Sequence, residues 1–99
     1  MQDKIELLAN TNSRETIFKK TKEECAELIV ALSHFDEFGK AERWATSTDI
    51  FKEIADVEIM CEQLKVALHG HDAVEEYKAE KIERQLARFG LTGKENEKI

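Results

Sequence analysis

From Ile17 onward the sequence repeats apolar or neutral residues at intervals of three and four, through Thr21, Glu24, Leu28, Ala31/Leu32 and Phe35. That recurrence fits one face of an α-helix and not a β-strand, whose faces alternate every two residues. A second run, Ile50, Ile54, Val57, Cys61, Leu64 and Leu68, has the same helical recurrence. No proline breaks either run, and the chain holds only four glycines in 99 residues, so an all-α fold is expected. One position defies the pattern. The first stripe carries Glu24 where a leucine would be expected.

The first long helix is expected over about Asn12 to Phe35, opening on the capping-box-like Asn12-x-x-Glu15 and ending near Asp36 to Gly39. Residues 36–47, DEFGKAERWATS, read as a connection with a short turn of helix around Trp44, the sole tryptophan. A second helix is expected from Thr48 or Asp49 to about His69, ended by Gly70. A third runs from an Asp72-x-x-Glu75 cap to about Arg88, closed by Phe89 and Gly90. The tail 91–99 reads as frayed, and the first eleven residues as an extra helical turn with no assigned role. No repeat or linker divides the chain. Residues 1–99 therefore read as a single domain, a helical hairpin plus a third helix, and a domain this short buries little apolar surface unless it associates with another copy.

Charge narrows the partners. A formal net charge of −6 argues against nucleic acid and anionic membranes, because both repel a polyanionic surface. No apolar run approaches the roughly 18 residues of a membrane span, and MQDKIELLANTNSRETIF lacks the basic and hydrophobic regions of a signal peptide. A soluble, cytoplasmic protein is expected. Cys25 and Cys61 fall on different helices with no CxxC and no histidine at ligand spacing, so they read as small buried thiols rather than a zinc site or a disulfide.

The acids are more informative. Glu24 and Glu27 lie three apart and share a helical face, with Glu23 next to Glu24 and four from Glu27. Glu53 and Asp56 are also three apart, one step round from Ile54 and Val57. In an antiparallel hairpin the two pairs converge, and desolvated like charges need compensation. Hard divalent cations such as Mg²⁺ or Mn²⁺, which prefer oxygen ligands, would supply it. The plainer reading is a solvated acidic face, common in a chain with 21 acidic residues. Both pairs border or interrupt an apolar stripe, however, which a solvated face does not predict. A ferritin-like di-iron site is disfavoured because none of His34, His69 or His71 completes an ExxH; the histidines read as surface or helix-end residues.

EECAEL followed by EIADVEIM resembles the EExxE…ExxD signature of MazG-type all-α nucleoside triphosphate pyrophosphohydrolases, and Lys20 and KIER resemble that family's flanking pattern. The resemblance covers the two core helices. It implies a homodimer or homotetramer with four-helix-bundle cores, in which Glu24, Glu27, Glu53 and Asp56 are Mg²⁺ ligands and Glu23 orients or deprotonates the attacking water. It also implies phosphate binding by Lys20. The chemistry would split a (d)NTP into the monophosphate and pyrophosphate with no covalent protein intermediate. On the third helix Lys81, Arg84 and Arg88 recur at i, i+3, i+7, a cationic stripe suited to phosphates, with Lys78 adjacent. The same stripe is explained equally by a solvated face bridged to Glu80 or Glu83. Trp44 or Phe18 could stack on a base, though a lone aromatic also serves a core or a dimer interface. Two alternatives stay open: a noncatalytic helical association module, and the same fold acting on another pyrophosphate-containing nucleotide metabolite.

Overall fold

The computed structural model describes residues 1–35 and 46–91. Every regular element among them is helical, in the order α1 (Gln2–Thr11), α2 (Arg14–His34), α3 (Ser47–Ala67) and α4 (His71–Arg88). The chain divides into two compact units, Met1–His69 and Gly70–Ile99. The expected turn around Trp44 and the expected frayed tail beyond Leu91 lie outside the described residues.

In the first unit α2 begins one residue later than its expected cap. Ser13 Oγ accepts from the Thr16 amide at 3.1 Å, satisfying one of the donors a helix N-terminus leaves free. Asn12 serves another purpose: its Nδ2 donates to Gln63 Oε1 at 3.1 Å. α3 begins slightly earlier than expected, because Thr46 and Asp49 form a full capping box. The Thr46 amide donates to Asp49 Oδ2 at 2.8 Å, and the Asp49 amide donates to Thr46 Oγ1 at 3.3 Å. The Thr46 amide, together with the Thr46 hydroxyl donating to Asp49 Oδ2 at 3.0 Å, holds the Asp49 carboxyl below its ordinary pKa. α3 ends through His69, whose φ of 52° takes the left-handed turn expected of Gly70.

α2 and α3 pack as an antiparallel pair. Ile17 meets Met60 while Glu24 and Glu27 meet Glu53 and Asp56, so numbers rise along one helix as they fall along the other. The inward row of α2 is Ile17, Thr21, Glu24, Leu28, Ala31 and Phe35, each buried or half-buried. This is the expected stripe, except that Leu32 is 52% exposed. On α3 the inward row is Ile50, Glu53, Val57, Met60, Leu64 and Ala67, and Ile54, Cys61 and Leu68 of the expected stripe are exposed. α3 carries two rows at intervals of three and four, one residue and hence about 100° apart. The expected stripe took members of both. Packing selects the row with Met60, which closes a small core with Ile17 and with Ala9 of α1.

α1 is a full ten-residue helix rather than one turn. It packs on α3, burying Ile5 and Ala9 at i, i+4. Gln63, 3% exposed, is the buried polar side chain this docking requires, and Asn12 answers it. Ile17 is the one large side chain fully sealed from solvent among the described residues. Both cysteines are free, Cys25 half-buried and Cys61 exposed. The expectation of two buried thiols therefore fails at Cys61, which sits on the outer row.

The second unit, described by itself, is α4 and its cap. Gly70 occupies the N-cap, and Asp72 falls inside the first turn instead of capping it. The C-terminus closes as expected at Phe89 and Gly90. Gly90 has φ 66°, its amide donates to the Ala87 carbonyl at 3.1 Å, and the Leu91 amide donates to the Leu86 carbonyl at 2.9 Å, the paired bonds of a Schellman motif. No residue of α4 is buried.

Candidate metal centre

The two acids nearest the middle of the α2–α3 seam are at core positions. Glu24 stands on the inward row between Thr21 and Leu28, and Glu53 on the facing row between Ile50 and Val57. The same row carries both ordinary packing and the acids, since the 3.6-residue period aims positions 17, 24 and 31 in nearly one direction. Three residues on from each, Glu27 and Asp56 flank the seam at exposed positions. One carboxylate oxygen from each of the four lies within 4.8 Å of all the others.

Two oxygens of this cluster lack partners. Glu24 Oε2 and Glu53 Oε2 are sealed from solvent and receive no hydrogen bond, although the residues as wholes are only half-buried. Thr21, one turn before Glu24, has its hydroxyl committed to the Ile17 carbonyl at 2.6 Å. An ionised carboxylate only accepts, so each sealed oxygen needs a proton or a cation. Desolvation is the largest cause pushing the Glu24 carboxyl above its ordinary pKa, followed by the charges of Glu27 and Asp56 and a hydrogen bond shared with Glu27. The Glu53 carboxyl is raised by the same causes in the same order. Asp49 adds a smaller repulsion on Glu53 from one turn away. The sequence signal for it was the i, i+4 spacing of two acids.

The cluster could hold a hard divalent ion. Oxygens trans across Mg²⁺ stand about 4.2 Å apart, and across Ca²⁺ about 4.6 to 5.2 Å. A span of up to 4.8 Å brings the four oxygens to the scale of a shared cation without selecting between the two. Four oxygen ligands are the donor set a hard cation prefers, with Glu27 and Asp56 at the exposed positions.

The remaining candidates are not members of this set. Glu23 is exposed and outside the four-carboxylate cluster; it lies one turn before Glu27. Lys20 is exposed one turn before Glu24, on the same side of α2. Lys81, Arg84 and Arg88 are exposed on α4, in the second unit, where Arg84 contacts Glu80 at 3.4 Å. Lys78 likewise contacts Glu75 at 3.4 Å. Phe18 is 41% exposed, and Trp44 lies outside the described residues. His34, His69 and His71 are exposed at helix ends, as expected. No described helix is long and apolar enough to cross a membrane. Comparison of the chain with protein-family models, curated proteins and solved structures gives no match.

Proposed function

We propose that the protein is a Mg²⁺-dependent nucleoside triphosphate pyrophosphohydrolase of the MazG type, converting (d)NTPs to (d)NMP and pyrophosphate in the cytoplasm. The observation that carries this reading is the sealed, partnerless oxygen on each of Glu24 and Glu53, two members of a four-carboxylate cluster. Glu24, Glu27, Glu53 and Asp56 would hold Mg²⁺, with Mn²⁺ as a substitute. When bound, the metal supplies charge neutralisation for the triphosphate and lowers the pKa of the attacking water. Copies assemble as a dimer or tetramer with four-helix-bundle cores.

The chain's own residues do the rest. Glu23, one turn before Glu27 and open to solvent, accepts the proton of the water as it attacks phosphorus. Lys20, on the cluster's side of α2, neutralises a phosphate oxygen as charge develops. Water's oxygen bonds to the α-phosphorus, the bond to the bridging oxygen breaks, and pyrophosphate leaves with that oxygen.

A panel of nucleoside triphosphates assayed with Mg²⁺ for pyrophosphate release tests the reading, with Glu53→Gln as control. Pyrophosphate lost in the control is expected. Orthophosphate as the product, or full activity in Glu53→Gln, would reject it. The exposed apolar residues of α2 and α3 favour a second reading, a noncatalytic association module. That reading predicts neither hydrolysis nor any response to Mg²⁺.

A further inference from the structure

The rows left outside the core form seams of their own. On α2, Phe18, Lys22, Cys25, Ile29 and Leu32 follow at intervals of four, three, four and three, the a/d spacing of a coiled coil. On α3, Phe51, Ile54, Glu58 and Cys61 follow at three, four and three. Each row is one residue on from the buried row of its helix, and thus turned about 100° from it. Apolar side chains on both rows stand open: Ile29 is 64% and Leu32 52% exposed on α2, and Phe51 is 65% exposed on α3. A helix with two adjacent a/d rows is built to pack against two neighbours, and the α2–α3 pair uses one row of each helix.

Between Phe18 and Leu32 on α2 and between Phe51 and Cys61 on α3, each outer row holds one charge among its apolar members, and the charges are opposite: Lys22 on α2 and Glu58 on α3. Both are exposed, and no ion pair joins either among the described residues. A single polar residue in such a row sets register and partner at some cost in stability. An antiparallel approach of an α2 row to an α3 row that sets Lys22 level with Glu58 also sets Ile29, seven residues on, level with Phe51, seven residues back. It brings Cys25 beside Ile54. The register that pairs the charges therefore also pairs the apolar groups.

We infer that the outer rows are the docking surface for a second copy of this chain, α2 of each copy lying antiparallel on α3 of the other, with Lys22 paired to Glu58 of the second copy. The contact is self-complementary, so a two-fold dimer makes that pair twice. This rests on the association proposed above and specifies its surface, orientation and register. A membrane or nucleic acid would not select one lysine and one glutamate at matched heights. A second copy supplies both.

The test is the mass of the full-length protein by sedimentation, with EDTA and without nucleotide, so that its outcome is independent of any hydrolase activity. Wild type should sediment as a dimer, or as a multiple of one. Lys22→Glu and Glu58→Lys should each weaken association by at least about tenfold, since each places like charges together. The double variant should restore it. Helicity by circular dichroism should be unchanged in all three, because both positions are exposed. Ile29→Glu, at the apolar part of the seam, should also dissociate the dimer with helicity retained. The inference is overturned by a monomeric wild type, by charge reversals that leave the mass unaltered, or by a double variant no better associated than the weaker single one. A monomer at all concentrations that loses thermal stability on Ile29→Glu would assign the row to another segment of the same chain, and would overturn it equally.

Discussion

Replacing Glu53 by glutamine should stabilise the metal-free protein at pH values above the ordinary glutamate range and remove most of its response to Mg²⁺. Glutamine keeps the shape and removes the charge. The Glu24 and Glu53 carboxyls are raised above the ordinary 4.5, so the folded state holds their protons more tightly than the unfolded chain does. Their contribution is thus fully present below pH 4.5 and lost as pH rises through the raised values. Wild-type protein in EDTA should lose melting temperature as pH rises above 4.5, and Glu53→Gln should lose less of it. Metal reverses the sign, since a cation competes with those protons and binds better at higher pH. At free Mg²⁺ a hundredfold above Kd, binding stabilises the folded state by about 2.7 kcal/mol. For a unit of this size that corresponds to a rise of roughly 10 to 20 °C. If losing one ligand of four weakens Kd a hundredfold, the same Mg²⁺ gives only about 0.4 kcal/mol and a shift of roughly 2 to 3 °C. Differential scanning fluorimetry over pH, with EDTA or Mg²⁺, reads both arms. Equal pH slopes and equal Mg²⁺ shifts in the two proteins would refute the reasoning.

Ile17→Ala should cost about 2 to 5 kcal/mol, because Ile17 is fully sealed and its cavity is fixed by Met60 and Ala9; urea denaturation followed by circular dichroism measures it. Ser13→Ala, which removes the acceptor for the Thr16 amide, should cost about 1 kcal/mol in the same assay and leave the Mg²⁺ shift intact. Glu23→Gln should lower the rate of pyrophosphate release by about a hundredfold or more while preserving the Mg²⁺-induced rise in melting temperature, which separates a proton acceptor from a ligand. An equal loss of both would make Glu23 part of the metal site.

The helical class, the inward row of α2 and the convergence of the four acids were legible because each rests on local period and on one simple pairing. Glu24 interrupted an apolar row that Ile17, Leu28 and Ala31 otherwise define, and the structure sets Glu53 opposite it. The α3 row was misread for a physical reason. Two overlapping rows have almost equal apolar content, and only the partner helices decide which is buried. Met60 and Gln63 are core residues because α1 covers them, and the sequence offered α1 only as an extra helical turn with apolar Ile5, Leu7 and Leu8, of which Leu7 and Leu8 are exposed while Ala9 is buried with Ile5. Asn12 resembled a cap, since the same amide suits a helix N-terminus and a tertiary hydrogen bond equally. The cap at Thr46–Asp49 was legible in principle as a threonine followed three residues later by an acid.

In the proposed function the acids of the α2–α3 seam serve hydrolysis at the α-phosphorus of a nucleoside triphosphate. Phosphorus NMR of the products formed with Mg²⁺ in ¹⁸O-labelled water tests it most directly. Pyrophosphate without label and nucleoside monophosphate carrying one ¹⁸O are expected, both lost in Glu24→Gln. Label in orthophosphate, or product formation undiminished in Glu24→Gln, would contradict it.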